Sequence, residues 1–225
     1  MPSSPPSPLP LVVLLSGRGS NFQALLHAIQ AGRLHAVIRA VISNRPGAAG
    51  LAMADQAGIP TAVVDHREYE DRESYDAALR IAIDAHAPAL VVLAGFMRIL
   101  TSAFVRHYEG RLINIHPSLL PRFRGLDTHA RALQEGVTEH GASVHYVTEE
   151  LDGGPVILQA RVTVNPGDTE ELLALRVLKE EHRLYPAAVE LIASGRVRWR
   201  EHRVWLDGNP LETPLLLDHD LQSTS

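Results

Sequence analysis

Three polar residues of this sequence could together carry out acid–base chemistry on a carbonyl group. Asn114 and His116 stand two residues apart at the end of a short apolar segment. Residues i and i+2 of a strand project to the same side, so this amide and imidazole could hold a developing oxyanion and move a proton. Asp152 begins an Asp-Gly-Gly turn and could supply a carboxylate that pairs with His116. A structural histidine and an ordinary turn aspartate are the alternatives.

The loop at residues 16–21, SGRGSN, has the composition of an anion-binding site. Its two glycines allow backbone amides to converge at the start of a helix. It is not a dinucleotide fingerprint, because Phe22 replaces the third glycine and no acidic residue follows the second apolar segment at Ser43 and Asn44. It is not a P-loop, since no lysine follows. The loop therefore predicts either a phosphate site or a plain turn.

Twelve histidines invite a metal-dependent hydrolase as another hypothesis. However, the sequence has no cysteine, and His116, His129, His140 and His145 form neither a helical i,i+4 pair nor an HExxH motif. We therefore expect no metal site.

Composition argues against several broad classes of protein. Hydrophobic residues make up 45% and charged residues 21% of 225 positions, as in globular proteins, and the formal net charge of −5 disfavours a nucleic-acid partner. The apolar run at 11–15 is too short to cross a membrane, and residues 1–10 lack the basic residues of a secretory signal. We expect a soluble cytoplasmic protein with no membrane partner. No feature of the sequence indicates an oligomeric state.

The hydrophobic pattern of the first half alternates between strands and helices. Strands are predicted at 11–15, 36–43, 61–64 and 89–94, and helices at 47–57, 71–86 and between a cap at Ser20 or Asn21 and a stop at Gly32. This alternation predicts an α/β fold with a doubly wound, mostly parallel, Rossmann-like sheet.

The second half predicts mixed strands within the same domain. Strands are expected at 112–115, 142–148 and 156–164, the last two joined by a tight turn at 152–154. Helices are expected at 129–135 and 169–194, and a hairpin at 197–199 and 203–206. We expect one domain over 11–206, between a disordered tail at 1–10 and a C-terminal tail at 207–225.

Five strings of this sequence, in this order, resemble the phosphoribosylglycinamide formyltransferases, the folate-dependent enzymes of purine synthesis. The resemblance runs from about residue 11 to about residue 196, and five strings in order are highly specific. The strings are GRGSN, VVLAGFMRIL, NIHPSLLP, HGASVHYVTEELDGGPVILQ and EEHRLYP.

The resemblance implies a reaction and a mechanism. Members of the family transfer a formyl group from the co-substrate 10-formyltetrahydrofolate to the amine of glycinamide ribonucleotide, and Asn114, His116 and Asp152 match their catalytic trio. By that match, Asn114 donates to the oxyanion formed when the amine attacks. Protonated His116 also stabilises the oxyanion and supplies a proton as N10 of the folate leaves, while Asp152 favours the charged imidazole.

The same resemblance assigns binding residues. Those matched to the ribonucleotide are Gly19, Ser20 and Asn21 at the phosphate, and Glu181. Those matched to the folate pocket are Arg72, Met97, Arg98, Ile99, Leu100, Thr148, Glu149, Glu150 and Leu151. Ser143 and His145 are expected to hold water or to support the trio.

Other formyl acceptors remain as alternatives. The loop Arg122-Phe123-Arg124-Gly125 resembles that of methionyl-tRNA formyltransferase, and formyltetrahydrofolate hydrolase uses water. The Ser20-Asn21 pair, the Gly-Gly-Pro after Asp152 and a length that we expect to exclude an added tRNA-binding or regulatory domain favour the ribonucleotide. A binding module with a decayed site is disfavoured because the whole trio is present.

Overall fold

A computed structural model describes residues 7–217, which form eleven strands and six α-helices. The predicted disorder of residues 1–6 and the last eight residues of the predicted C-terminal tail fall outside this range. The strands are β1 Leu9–Leu15, β2 Ala36–Ser43, β3 Thr61–Val63, β4 Leu90–Leu93, β5 Leu112–His116, β6 Glu139–Tyr146, β7 Val156–Thr163, β8 Val197–Arg200, β9 Arg203–Leu206, β10 Asn209–Pro210 and β11 Leu215–Leu216. The helices are α1 Ser20–Gln30, α2 Ala49–Gln56, α3 Arg72–Asp84, α4 Ser102–His107, α5 Thr128–Gln134 and α6 Glu170–Ala193.

Eight strands form one sheet in the order β11-β7-β6-β5-β4-β1-β2-β3. Strands β1 to β5 pair in parallel, whereas β5, β6 and β7 pair antiparallel. The predicted α/β fold with a mostly parallel sheet and mixed C-terminal strands is therefore confirmed. The expected hairpin is also confirmed, because β8 pairs antiparallel with β9 and β10 extends this small second sheet.

The sheet is covered by helices on both faces. In β1, Leu11, Val13 and Leu15 pack into one core with residues of α1 and α6, while Val12 and Leu14 pack into the other core with residues of α3 and α4. Successive side chains of a strand alternate between faces, so a strand between two helical layers must be apolar throughout. This is why β1 and β4 appear as continuous apolar runs.

Several local predictions need correction. Neither Ser20 nor Asn21 caps α1: the cap is Gly19, with φ of 77°, and no side chain caps the helix. The connection between β6 and β7 is the nine-residue loop 147–155 rather than a tight turn. Helix α6 continues through Pro186. The sequence pattern is compatible with either a helix that Pro186 enters or one that it interrupts. The short helix α4 was not predicted.

The sheet extends beyond both ends of the predicted domain. Strand β1 begins at Leu9, and β11 pairs in parallel with β7 within the segment expected to be a tail. Two apolar residues at 215–216 are too short a pattern to predict a strand. The domain boundaries themselves stay a prediction. Over residues 7–217, no helix is long and apolar enough to cross a membrane.

Candidate active site

The predicted site residues gather at the carboxyl ends of the central parallel strands. The loop 16–21 follows β1, residues 95–100 follow β4, and His116 ends β5. The chain passes from β1 outward to β2 and β3, then returns to β4 on the other side of β1. In open α/β sheets, this reversal of strand order leaves a crevice in which ligands bind. The topology thus brings together loops that are distant in sequence.

His116 is held between two hydrogen-bond acceptors. The side chain is buried, its Nε2 donates to the carbonyl oxygen of Phe123 at 2.9 Å, and its Nδ1 lies 3.4 Å from Oδ2 of Asp152. A neutral imidazole carries only one N–H and would turn a lone pair toward one of these oxygens. Both ring nitrogens therefore face oxygen acceptors, so an imidazolium in this position could donate from Nδ1 and from Nε2.

Asp152 is fixed by the backbone of two loops. Its own φ is 48°, in the left-handed region, and its Oδ2 accepts a hydrogen bond from the amide of Gly125 at 2.9 Å. A Cβ atom at Gly154 would lie 1.8 Å from the carbonyl oxygen of Tyr146, so only glycine permits the chain to pass so close to β6. The Asp-Gly-Gly sequence therefore folds the loop back until its carboxylate reaches His116.

Asn114 and His145 face each other across β5 and β6, where they are Cα partners. Nδ1 of His145 donates to the carbonyl oxygen of Tyr146 at 2.9 Å, so Nε2 can accept from the Asn114 amide 3.4 Å away. Burial lowers the pKa of His145 to about 4, so this ring is neutral near pH 7. His145 is thus placed to hold the Asn114 amide, and its supporting role stays a prediction.

The predicted anion loop closes on α6. Asn21 is the second residue of α1, and its Nδ2 donates to Oε2 of Glu181 at 2.7 Å. Burial raises the pKa of the Glu181 carboxyl. Ser20 is the first residue of α1, where free backbone amides and the helix dipole favour a phosphate. Loop and carboxylate, predicted as one ribonucleotide site, therefore lie together.

The residues expected at the folate form two neighbouring segments. The amide of Met97 donates to Oγ of Ser16 at 2.8 Å, which fixes the segment after β4 against the anion loop. Met97, Ile99 and Leu151 are more than half exposed although they are apolar. Apolar side chains on a fixed but open surface are suited to a flat aromatic ligand. Leu100 continues the first segment and is partly buried.

Ion pairs tie the second segment to neighbouring elements. Glu149 pairs with Arg106 of α4 at 2.8 Å, and Glu150 pairs with Arg124. Thr148 precedes them and is partly exposed. The 147–155 loop is thereby held beside α4, which directly follows the first segment.

Two arginines complete the predicted folate set. The guanidinium carbon of Arg98 lies 5.3 Å from the ring centre of Tyr75, on α3. Arg72 is the first residue of that helix and is exposed. Arg98 thus packs on the helix that Arg72 begins, and the assignment of both to the folate stays a prediction.

Two further histidines, His129 and His140, contact each other, but they do not form a metal site with a third ligand among the described residues. Nδ1 of His129 and Nε2 of His140 are 3.1 Å apart, and burial lowers the pKa of both rings, that of His140 to about 4. Between residues 7 and 217, no three His, Cys, Asp or Glu side chains form a group that could hold a metal ion. The absence of a metal stays a prediction.

Sequence reasoning missed the backbone groups that hold the trio. The Phe123 carbonyl and the Gly125 amide lie in a loop that we interpreted only by its resemblance. Every residue has these backbone groups, so residue type does not indicate which of them bind a side chain. Gln159 was also missed, although it ends one of the five strings.

A sequence model of the family described as "Formyl transferase" matches residues 9–189. The chain belongs to the formyl transferase family. Within this family it is 53% identical to the phosphoribosylglycinamide formyltransferase of Escherichia coli K12, over 89% of this chain and 95% of that protein.

Solved structures of related proteins have the same fold. A phosphoribosylglycinamide formyltransferase from Coxiella burnetii superposes with a TM-score of 0.90 at 53% identity, covering 93% of this chain and 99% of that one. A formyltetrahydrofolate deformylase from Pseudomonas syringae is also similar, with a TM-score of 0.82 and 31% identity over 88% of this chain and 66% of that one. Proteins named as a formyltransferase and as a deformylase thus share this fold, so the fold alone does not identify the reaction.

Proposed function

We propose that this chain transfers a formyl group from 10-formyltetrahydrofolate to the amine of glycinamide ribonucleotide, giving formylglycinamide ribonucleotide and tetrahydrofolate in purine biosynthesis. The main support for this acceptor is the 53% identity to the Escherichia coli phosphoribosylglycinamide formyltransferase, which extends over 89% of this chain and 95% of that protein. The position of the His116 imidazole between two oxygen acceptors supports the chemistry, since a protonated ring held there could stabilise negative charge that develops on the formyl oxygen.

The site chemistry follows from the charges of the trio. The amine attacks the formyl carbon, whose oxygen becomes negative and is stabilised by the Asn114 amide and the His116 imidazolium. As the bond from the formyl carbon to N10 breaks, His116 gives a proton to N10, and the proton lost by the attacking amine returns to the imidazole. No net proton is consumed. Asp152 keeps its charge and stabilises the imidazolium in each turnover.

Both substrates have complementary surroundings. The amides at Gly19, Ser20 and Asn21 would bind the ribonucleotide phosphate, and Glu181 would contact the ribose or its amine-bearing arm. The exposed apolar residues Met97, Ile99 and Leu151, with the partly buried Leu100, would pack on the pterin and its benzoyl group. The remaining residues assigned to this pocket are Arg72, Arg98, Thr148, Glu149 and Glu150.

The proposal also covers partners, metal requirement and location in the cell. We infer that the partners are these two small molecules, with no nucleic acid, and that catalysis needs no metal. We also place the enzyme in the cytoplasm, which cell fractionation with an antibody to the chain would check.

Water is the second candidate acceptor, because the fold resembles that of a deformylase. The deciding experiment incubates the purified chain with 10-formyltetrahydrofolate and adds glycinamide ribonucleotide, formyl-acceptor tRNA or nothing. Tetrahydrofolate should form rapidly only with the ribonucleotide, together with one equivalent of formylated product. Equal folate release in buffer alone would identify a hydrolase, and release only with tRNA would identify the other transferase.

A further inference from the structure

Gln159 lies in line with the proposed proton donor. In the central sheet, His116 of β5 is the Cα partner of Ser143 on β6, and Ser143 is the Cα partner of Gln159 on β7. Directly opposed residues of neighbouring strands project to the same face. Three polar side chains therefore form one row across three antiparallel strands, and all three are buried.

The Gln159 amide donates both of its N–H groups, one within this row and one to a loop beside it. Nε2 donates to Oγ of Ser143 at 2.9 Å and to the carbonyl oxygen of Leu120 at 2.9 Å. Both partners are buried, and Leu120 belongs to the loop that follows β5. An apolar side chain at this position would leave the carbonyl without its donor, which is costly in a buried site.

The Ser143 hydroxyl binds the same loop at two backbone groups, those of Leu120 and Ser118. Its oxygen accepts from the Leu120 amide at 3.0 Å, and its proton goes to the carbonyl oxygen of Ser118 at 2.7 Å. With the bond from Gln159, the hydroxyl makes one donor and two acceptor contacts, which is its full capacity. Both backbone groups of Leu120 are thus fixed from the sheet.

The loop held in this way supplies an acceptor of His116. It turns through Ser118, whose Oγ donates to the carbonyl oxygen of Arg122 at 2.7 Å, and reaches Phe123, whose carbonyl accepts from His116 Nε2. Phe123 has φ of 54°, a conformation that a non-glycine residue keeps only when its surroundings impose it. A shift of the loop would therefore move the carbonyl away from the imidazole.

We propose that Gln159 is a positioning residue, which acts through Ser143 and Leu120 to hold the Phe123 carbonyl against His116. This inference rests on the proposed function, in which His116 is the proton donor. The hydrogen bonds of the Gln159 side chain go to Ser143 and Leu120 rather than to the trio. Without it, the imidazolium would keep Asp152 but lose its second acceptor, and the ring would rotate more freely about its χ angles.

The test compares Gln159→Met with the wild type and with Gln56→Met, the same change at an exposed position of α2. We expect Gln159→Met to lower kcat by about ten- to a hundredfold, the scale of a small misplacement of a catalytic group. The KM values of both substrates should stay within about threefold, because binding groups are untouched. The limb of the pH–rate profile assigned to His116 should move to lower pH, and Gln56→Met should change none of these values.

An NMR measurement separates failure of this inference from failure of the proposed function. In wild type, the buried Nε2 proton of His116 should give an imidazole resonance that persists in water, and in Gln159→Met it should exchange at least about tenfold faster. Unchanged exchange and unchanged kcat in folded Gln159→Met would overturn the positioning role. Faster exchange in a chain whose wild type does not formylate the ribonucleotide would overturn the proposed function instead. If Gln159→Met does not fold, Gln159→Asn, which keeps the amide but shortens its reach, takes its place.

Discussion

Nδ2 of Asn21 donates to Oε2 of Glu181 at 2.7 Å, which ties the first turn of α1 to a helix 160 residues further along the chain. Both side chains are almost fully buried, and Oδ1 of Asn21 has no hydrogen-bond partner within the described part of the chain. The carboxylate thereby fixes which end of the Asn21 amide faces α6. Two residues that are both assigned to the ribonucleotide are thus joined by a hydrogen bond.

Glu181→Ala should impair ribonucleotide binding more than folate binding. We expect the KM for the ribonucleotide to rise about tenfold or more, since a hydrogen bond to a charged group contributes about 1.5–3 kcal/mol. The KM for the folate should stay within about twofold. Glu180→Ala is the matched control, because its carboxylate pairs with the exposed Arg183, and exposed ion pairs contribute little. Steady-state kinetics with each substrate varied would measure this, and equal changes in both KM values would contradict the assignment.

Substitution of Gly19 should destabilise the fold itself. Gly19 has φ of 77°, and a Cβ there would lie 2.8 Å from Cα of Gly50. We expect Gly19→Val to lower the free energy of unfolding by at least about 1–3 kcal/mol, from the backbone conformation alone. Gly17→Ala is the control, since nothing lies within 4 Å of a Cβ at that position. Urea denaturation would compare them, and equal stability of both variants would show that the loop is looser than described.

Stability should fall in weak acid because of His140. Burial lowers the pKa of this ring to about 4 in the folded state, whereas about 6.5 is expected when the chain is unfolded. Between these values the unfolded chain binds the proton and the folded chain does not, so the free energy of unfolding falls as pH falls from about 6.5 towards 4. The loss should be of the order of 1–3 kcal/mol.

Unfolding measured from pH 7 to pH 4 in wild type and in His140→Gln would test this. In His140→Gln, the free energy of unfolding should depend less steeply on pH than in the wild type. His27→Gln, at an exposed position of α1, should keep the wild-type slope. An identical slope in wild type and His140→Gln would show that other groups dominate the pH dependence.

Formyl transfer should survive complete removal of metal ions. The proposed chemistry uses an amide, an imidazolium and a carboxylate, and no step needs a Lewis acid. We expect protein dialysed against a chelator, with its metal content checked by elemental analysis, to keep full kcat. Loss of activity that zinc or another divalent cation restores would favour the metal-dependent alternative.

Part of the trio could be predicted from the sequence because that part of its geometry is local. Asn114 and His116 share a strand face by their spacing alone, and the Asp-Gly-Gly string marks a turn that can present a carboxylate. The alternation of apolar runs likewise predicted the parallel sheet and therefore the edge at which these residues meet. Resemblance then supplied the roles that spacing leaves open.

Long-range pairing accounts for what could not be predicted. Asn21 has the chemistry of a helix cap, but it lies inside α1 because Gly19, in the left-handed region, is the cap and the helix begins at Ser20. Its amide instead meets Glu181, a contact that no local pattern encodes. Gln159 likewise resembles any polar residue of a strand until the register places it beside Ser143.

The pairing of Asp152 with His116 is tested most directly by a double-mutant cycle on kcat. At saturating substrates, Asp152→Asn should lower kcat by roughly two orders of magnitude or more, the scale of a lost acid–base contribution. His116→Ala should abolish most activity, and adding Asp152→Asn should cost little more, because residues that act as a unit are not additive. A folded Asp152→Asn enzyme with nearly full activity, or two penalties that multiply independently, would contradict the proposed pair.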